Sequence, residues 1–256
     1  MLTNKQILQV ALQQSAIDSG CAPEDFLAPQ GKVVLSRPHP DARRYLKLPF
    51  ACDLTSYGHC VVASVAPELT EAVEAYILKF PPEHCFETPN LHVLMQALRP
   101  HGYDVCFMAE YWLPDVEVLA AQPSPYPTRL LFPEDFAALY VPAFSNALCA
   151  GRQQLDRIAV GAYDGDRLIA LAGASADCDT MWQIGIDVLP EYRRKGIASA
   201  LASRLAMEIL QRDIVPFYCC AWSNIGSART AVRSGFRPAW VQVTAKPIAA
   251  IEEMNR

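Results

Sequence analysis

The stretch from Ile184 to Ser199 constrains this chain more than any other. Ile184, Ile186 and Val188 form an apolar, β-branched run that stops at Pro190, as a buried strand should. Arg193-Arg194-Lys195-Gly196 makes a basic turn, and Ser199 to Arg212 (SALASRLAMEILQR) has the apolar spacing of an amphipathic helix. Strand, glycine-bearing basic turn and helix start together predict an anion site. The first amides of a helix lack intrahelical partners and point along the positive end of its dipole, so backbone N–H groups can hold a phosphate there. Gly196 lets the backbone approach a ligand closely, small Ala198 keeps that approach open, and the three cations suit a polyphosphate.

Arg193-x-x-Gly196-x-Ala198 after a Val-x-Pro strand end resembles the coenzyme-A pyrophosphate loop of the GCN5-related N-acetyltransferase (GNAT) superfamily. A second apolar run, Pro216 to Trp222, follows. Asn224, Ser227-Ala228 and Gly235-Phe236 then resemble the superfamily's Asn-x-x-Ala…Gly-Phe ending. The likeness covers roughly the last 100 residues, about one domain's length. It implies a mixed α/β sheet with a cofactor wedge between two strands. It also implies acetyl-CoA as acyl donor. The backbone of Ile186, Asp187 and Val188 would take the pantetheine arm and acetyl carbonyl. Residues from Arg194 through Lys195, Gly196, Ile197 and Ala198 to Ser199 would take the pyrophosphate, with Arg193 adding positive charge there, and Asn224 the pantetheine region. As a plain helix start, Asn224 also reads as an N-cap.

The chain departs from the family where proton transfer is concerned. Ala231 stands where many relatives carry a tyrosine, seven residues after the motif Asn, and Cys219 where several carry a glutamate. Cys219, Ser223 and Ser227 are the substitutes near the thiol; Asp177, Asp179 and Asp187 are those near the amine. Asp187 lies inside an apolar strand, and alternation turns it away from Ile186 and Val188, the setting of a structural carboxylate. No residue type alone identifies the general base.

Composition narrows the function. A net charge of −5 leaves no electrostatic footprint for nucleic acid. No apolar run reaches the roughly 18 residues a membrane helix needs. The N-terminus lacks a basic region followed by an apolar one, so no signal peptide is expected. Nine cysteines without paired spacing read as reduced thiols of a cytoplasmic protein. His59-Cys60 and His84-Cys85 lack a second pair at zinc spacing, so no metal is expected.

In chain order, Thr3 caps a helix to about Ser19 that Gly20 closes. Lys32–Ser36 and Arg44–Leu48 read as strands, as does Gly58 to Val65. Pro67 opens a helix to about Phe80; Asn90 to Arg99 is helical and Tyr103 to Trp112 a strand. Three prolines in Gln122–Thr128 predict a linker between an N-terminal α/β domain (residues 1–121) and a GNAT domain (129–256). Pro133 starts a helical pair to about Leu148, and Asp164-Gly165-Asp166 turns a hairpin. Ser64-Val-Ala-Pro67-Glu68 echoes Asp187-Val-Leu-Pro190-Glu191, and Asn90…Gly102-Tyr103 echoes Asn224…Gly235-Phe236. The echo predicts a degenerate internal repeat, strand–Pro-Glu–helix–strand–Asn–helix–Gly-aromatic–strand in both halves. In the first copy Thr70-Glu71-Ala72-Val73 replaces the basic glycine turn, so only the second would bind cofactor.

The expected function is acetyl transfer to a small-molecule amine by direct attack in a ternary complex. A coenzyme-A-binding regulatory or scaffold protein without turnover is the alternative, and amino-acid transfer from tRNA a third, which the acidic balance opposes.

Overall fold

A computed structural model describes residues 2–256. The first half contains α1 (Asn4–Ser19), β1 (Lys32–Leu35), β2 (Cys52–Ser56), β3 (Val62–Val65), α2 (Thr70–Lys79), α3 (Thr88–Leu98) and β4 (Tyr103–Pro114). The second contains β5 (Thr128–Leu131), β6 (Asp156–Asp164), β7 (Arg167–Ser175), β8 (Met181–Val188), α4 (Ile197–Leu210), β9 (Val215–Ala221), α5 (Ile225–Arg233), β10 (Phe236–Pro247) and α6 (Ile248–Met254). The result is a mixed α/β protein. No helix among the described residues is long and apolar enough to cross a membrane.

Two compact units divide the chain: residues 1–10 with Trp112–Pro238, and Ala11–Tyr111 with Ala239–Arg256. This division differs from the expected one at 122–128, because the proline segment is built into the first unit. Gln122 N–H donates to Ser203 Oγ at 3.1 Å, and Tyr126 packs against the unit's core.

In the first unit β5, β6, β7 and β8 are successively antiparallel, and β8 runs parallel to β9. One face of this sheet is covered by α4, whose Ile197, Leu201, Leu205 and Ile209 meet Ile158, Val160, Ala172 and Ile184. Each large side chain so buried contributes about 1.5–3 kcal/mol. Ala159 and Leu171 face the opposite side, under Phe136, Phe144, Ala147 and Leu148. The helical pair expected from Pro133 to Leu148 is instead three short 3₁₀ turns, at Pro133–Asp135, Ala137–Leu139 and Pro142–Phe144. Pro142 has no N–H to continue a helix begun before it.

In the second unit β1 lies parallel to β3, and β3, β2 and β10 are antiparallel in turn. Leu91, Leu94 and Leu98 of α3 and Val73, Tyr76 and Ile77 of α2 cover Leu54, Ala63 and Val65. The strand expected at Arg44–Leu48 is a set of turns. Arg43 is held in a buried ion pair with Asp18 (2.8 Å), its N–H donates to the same carboxylate, and Leu46 N–H turns back to Arg43 C=O. The strand lies at Cys52–Ser56, where every residue is buried, Cys52 and Leu54 in the core cluster and Asp53 and Thr55 in a polar one.

The echo between halves has a structural counterpart within each unit. β3 leads through a 3₁₀ turn at Pro67–Leu69 into α2, as β8 leads through one at Pro190–Tyr192 towards α4. Gly102 and Gly235 enter β4 and β10 with φ of +82° and +88°. Two details differ from the expected pattern. No strand separates α2 from α3; the parallel neighbour of β3 is β1, which precedes it in the chain. And Thr70–Val73 is already helix, so the first half has nothing in place of residues 193–196.

Candidate functional site

The parallel ladder of β8 and β9 runs from Met181 opposite Val215 to Ile184 opposite Tyr218, where their pairing ends. Both strands continue, β8 through Gly185–Val188 and β9 through Cys219–Ala221. On its other edge β8 stays paired to β7 as far as Val188 opposite Ala170. A wedge therefore opens between the two strands after Ile184 and Tyr218. Its edges are the backbones of Ile186, Asp187 and Val188 and of Cys219 to Ala221, which lie beyond the last paired residues of the β8–β9 ladder.

Beyond the wedge, Pro190–Tyr192 turns, and Arg194 (φ +63°) and Gly196 (φ +82°) both adopt the left-handed region. Gly196 is the residue from which α4 starts. The first intrahelical bond is Ala200 N–H to Gly196 C=O at 3.2 Å, so the amides of Ile197, Ala198 and Ser199 precede the ladder. A Cβ on Gly196 would meet nothing within 4 Å, so the space beside the residue that starts the helix is open. Arg193, Arg194, Lys195 and Gly196 are exposed, whereas the Ile197 side chain is sealed in the core and Ser199 is buried. Ile197 and Ser199 can offer a ligand backbone only. Arg193 Nε donates to Val188 C=O (3.0 Å), folding that guanidinium onto the strand end. Lys195 Nζ lies 5.0 and 5.8 Å from the rings of Tyr192 and Tyr126 and donates to Tyr126 OH at 3.4 Å. The proline segment thus supplies a wall of the loop. These groups fit a polyphosphate with a pantetheine-like arm: a helix start and three cations at one end, the edge of β8 beyond its ladder with β9 at the other.

The remaining sequence candidates separate clearly. Asn224 caps α5, its Oδ1 accepting from Ser227 N–H at 3.1 Å. Cys219 Sγ accepts from Gln183 Nε2 at 3.0 Å. Ser227 Oγ lies 2.7 Å from Tyr218 OH. Asp187 accepts from Asn146 N–H (2.8 Å), Asn146 Nδ2 (2.7 Å) and Ala147 N–H (2.9 Å), so its carboxylate anchors a segment 40 residues earlier. Asp177 is fully buried beside Arg152 Nη1 (3.1 Å).

Two features escaped sequence reasoning. Tyr218, read only as part of a buried strand, stands where the ladder ends and reaches the first turn of α5. Burial above all pushes its hydroxyl's pKa above the ordinary tyrosine value, against the lowering effect of Ser227, so it keeps its proton at neutral pH. The second feature is the strap at Asn146–Ala147. A Cβ on Gly185 would lie 1.8 Å from Asn146 O, and one on Gly173 2.0 Å from Ala147 O. Gly173 and Gly185 are opposite each other in the β7–β8 ladder. The strap crosses the sheet on this glycine pair, beside the strand edge of the wedge. Glycines inside strands signal such close approach; the signal was present at both positions.

The GNAT acetyltransferase family model matches residues 158–239, from β6 to the start of β10. No curated protein matches the sequence. Among solved structures, a GCN5-related N-acetyltransferase from Kribbella flavida is 16% identical with a TM-score of 0.48, over 60% of this chain and 63% of its own. A GCN5-related N-acetyltransferase-like protein from Streptococcus suis is 16% identical (TM-score 0.44; 60% and 66%). A GNAT-family acetyltransferase from Colwellia psychrerythraea is 17% identical (TM-score 0.42; 59% and 61%). The chain thus spans slightly under two thirds of the length of these structures.

Proposed function

We propose, from the match of residues 158–239 to the GNAT acetyltransferase family model, an acetyl-CoA-dependent N-acetyltransferase acting on a small-molecule amine. The observation that carries this reading is the ladder that ends at Ile184 and Tyr218 above a glycine-started helix. Acetyl-CoA supplies an activated thioester. The strand edge at Ile186–Val188 aligns the pantetheine amides as an added strand would, and the amides of residues 197–199 with Arg193, Arg194 and Lys195 hold the pyrophosphate. Most of the acceleration then comes from positioning amine nitrogen against carbonyl carbon. A C–N bond forms, the C–S bond breaks, the amine loses a proton and the thiolate gains one.

The Tyr218–Ser227 pair is the proton source this reading favours, since it sits at the point of the wedge and carries a retained proton. Asp187 is spent on the strap and Cys219 on Gln183, so direct attack in a ternary complex needs neither as a nucleophile. The test is thiol release from acetyl-CoA across a panel of primary amines. Turnover with at least one amine supports the enzyme; coenzyme-A binding with no turnover on any supports a regulatory protein. With an active amine in hand, Tyr218→Phe is expected to lower kcat about 100-fold with KM for acetyl-CoA little changed, the size of one general-acid contribution. An unchanged kcat would remove Tyr218 from the reaction.

A further inference from the structure

The second unit contains a cleft of about 870 Å³ of its own, lying between residues 45–51, β4, β10 and α6. That volume is within the ~300–1,000 Å³ of small-molecule sites. Its aromatic lining comes from Tyr45, Phe50, Tyr103, Phe107 and Tyr111. Its floor is polar and built from below. Asp53, 1% exposed, accepts from Gln242 Nε2 (2.8 Å), Thr244 Oγ1 (2.6 Å) and Thr55 Oγ1 (3.2 Å), and both Gln242 and Thr244 line the cleft. Burial raises the Asp53 carboxyl to about 6, against the lowering effect of those three hydrogen bonds, so at neutral pH it is a carboxylate that only accepts.

That chemistry fixes the polarity of the floor. The Gln242 amide must turn its NH₂ to Asp53, and Thr244 must spend its hydroxyl proton there. What they leave for the cleft are acceptors: Gln242 Oε1, with no hydrogen bond among the described residues and not sealed from the cleft, and the Thr244 lone pairs. Gln242 itself is 9% exposed. A buried negative charge behind two acceptors, within aromatic walls, favours a cationic donor over an anion. The charged lining residues, Lys47, Lys246 and Glu253, are exposed or half-exposed, and Lys246 Nζ lies 4.6 Å over the Phe107 ring. They flank the aromatic walls rather than the floor.

We infer that this cleft is a binding site for a small apolar or aromatic molecule bearing a protonated amine, whose ammonium group donates to Gln242 Oε1 and Thr244 Oγ1. The inference stands on the second unit alone and does not depend on acyl transfer in the first.

Three isosteric probes test it on the full-length protein at pH 7.5 without acetyl-CoA: 2-phenylethylamine, 2-phenylethanol and 3-phenylpropionate, titrated by ligand-observed NMR and intrinsic fluorescence. The amine is expected to saturate, the alcohol to bind at least tenfold more weakly, and the carboxylate not to bind. Gln242→Met, which keeps the volume and removes the acceptor, should weaken the amine at least tenfold and leave acetyl-CoA binding unchanged. Asp53→Asn should do the same, but a folding defect there would leave Gln242→Met as the deciding variant. Carboxylate or alcohol binding as tight as the amine's would overturn the assignment. So would amine binding that survives Gln242→Met, which would place it elsewhere in the molecule.

Discussion

Gly185→Ala is expected to destabilise the protein by about 3 kcal/mol, the upper range for overpacking a closed site, with Tm falling by about 6–12 °C. The added Cβ would lie 1.8 Å from Asn146 O, a backbone atom that cannot rotate aside. The strap is pinned on both sides of that point. Asp187 accepts two of its amides and the Asn146 side chain, and Phe144, Ala147 and Leu148 are buried beneath it. Moving it by the needed ångström or more breaks hydrogen bonds to a carboxylate, each worth about 1.5–3 kcal/mol. Gly173→Ala should behave alike, its Cβ 2.0 Å from Ala147 O. Gly151→Ala, where a Cβ meets nothing within 4 Å, is the control and should shift stability by no more than about 0.5 kcal/mol. Differential scanning calorimetry of the three variants decides the matter; a stable Gly185→Ala would mean the strap does not rest on β8.

Gly196→Glu is expected to weaken coenzyme-A binding by at least about 100-fold while the fold survives. Two effects add. Any side chain at φ +82° strains the backbone by about 1–2 kcal/mol, and a carboxylate beside the first amides of α4 repels phosphate where attraction is needed. The absence of any atom within 4 Å of the new Cβ means that the core is not disturbed. Gly196→Ala separates the terms: it carries the strain without the charge and should lose far less affinity. Fluorescence competition with a coenzyme-A probe, beside a thermal melt of each variant, reads both quantities. Normal affinity in Gly196→Glu would remove the phosphate from this loop.

The two lessons about legibility come from opposite kinds of residue. Residues 184–199 were readable because strand alternation, a glycine turn and helix periodicity are all local in sequence, and the structure places β8, Gly196 and α4 accordingly. The hairpin at Asp164–Asp166 and the Asn224 cap were readable for the same reason. Cys52–Ser56 was not, because its apolar–polar alternation spans only five residues and Asp53 and Thr55 look like loop residues until Gln242 and Thr244 are beside them. Asp187 reads as a carboxylate in an apolar strand, but its reason is a strap 40 residues away. The prolines of Gln122–Thr128 read as a linker, yet Tyr126 holds that segment to Lys195 and the segment lies inside one unit. Local patterns reveal elements. Which elements meet is decided by contacts distant in sequence.

The central claim, that residues 193–199 and the edge of β8 hold acyl-coenzyme A, is tested most directly by calorimetric titration of the purified protein with acetyl-CoA. One equivalent is predicted, because only the second half has the loop between its 3₁₀ turn and helix, while the first runs straight from Leu69 into Thr70. No binding would reduce residues 184–199 to a strand–helix turn. Two equivalents would contradict the single loop and require a second coenzyme-A site that the first half gives no means to build.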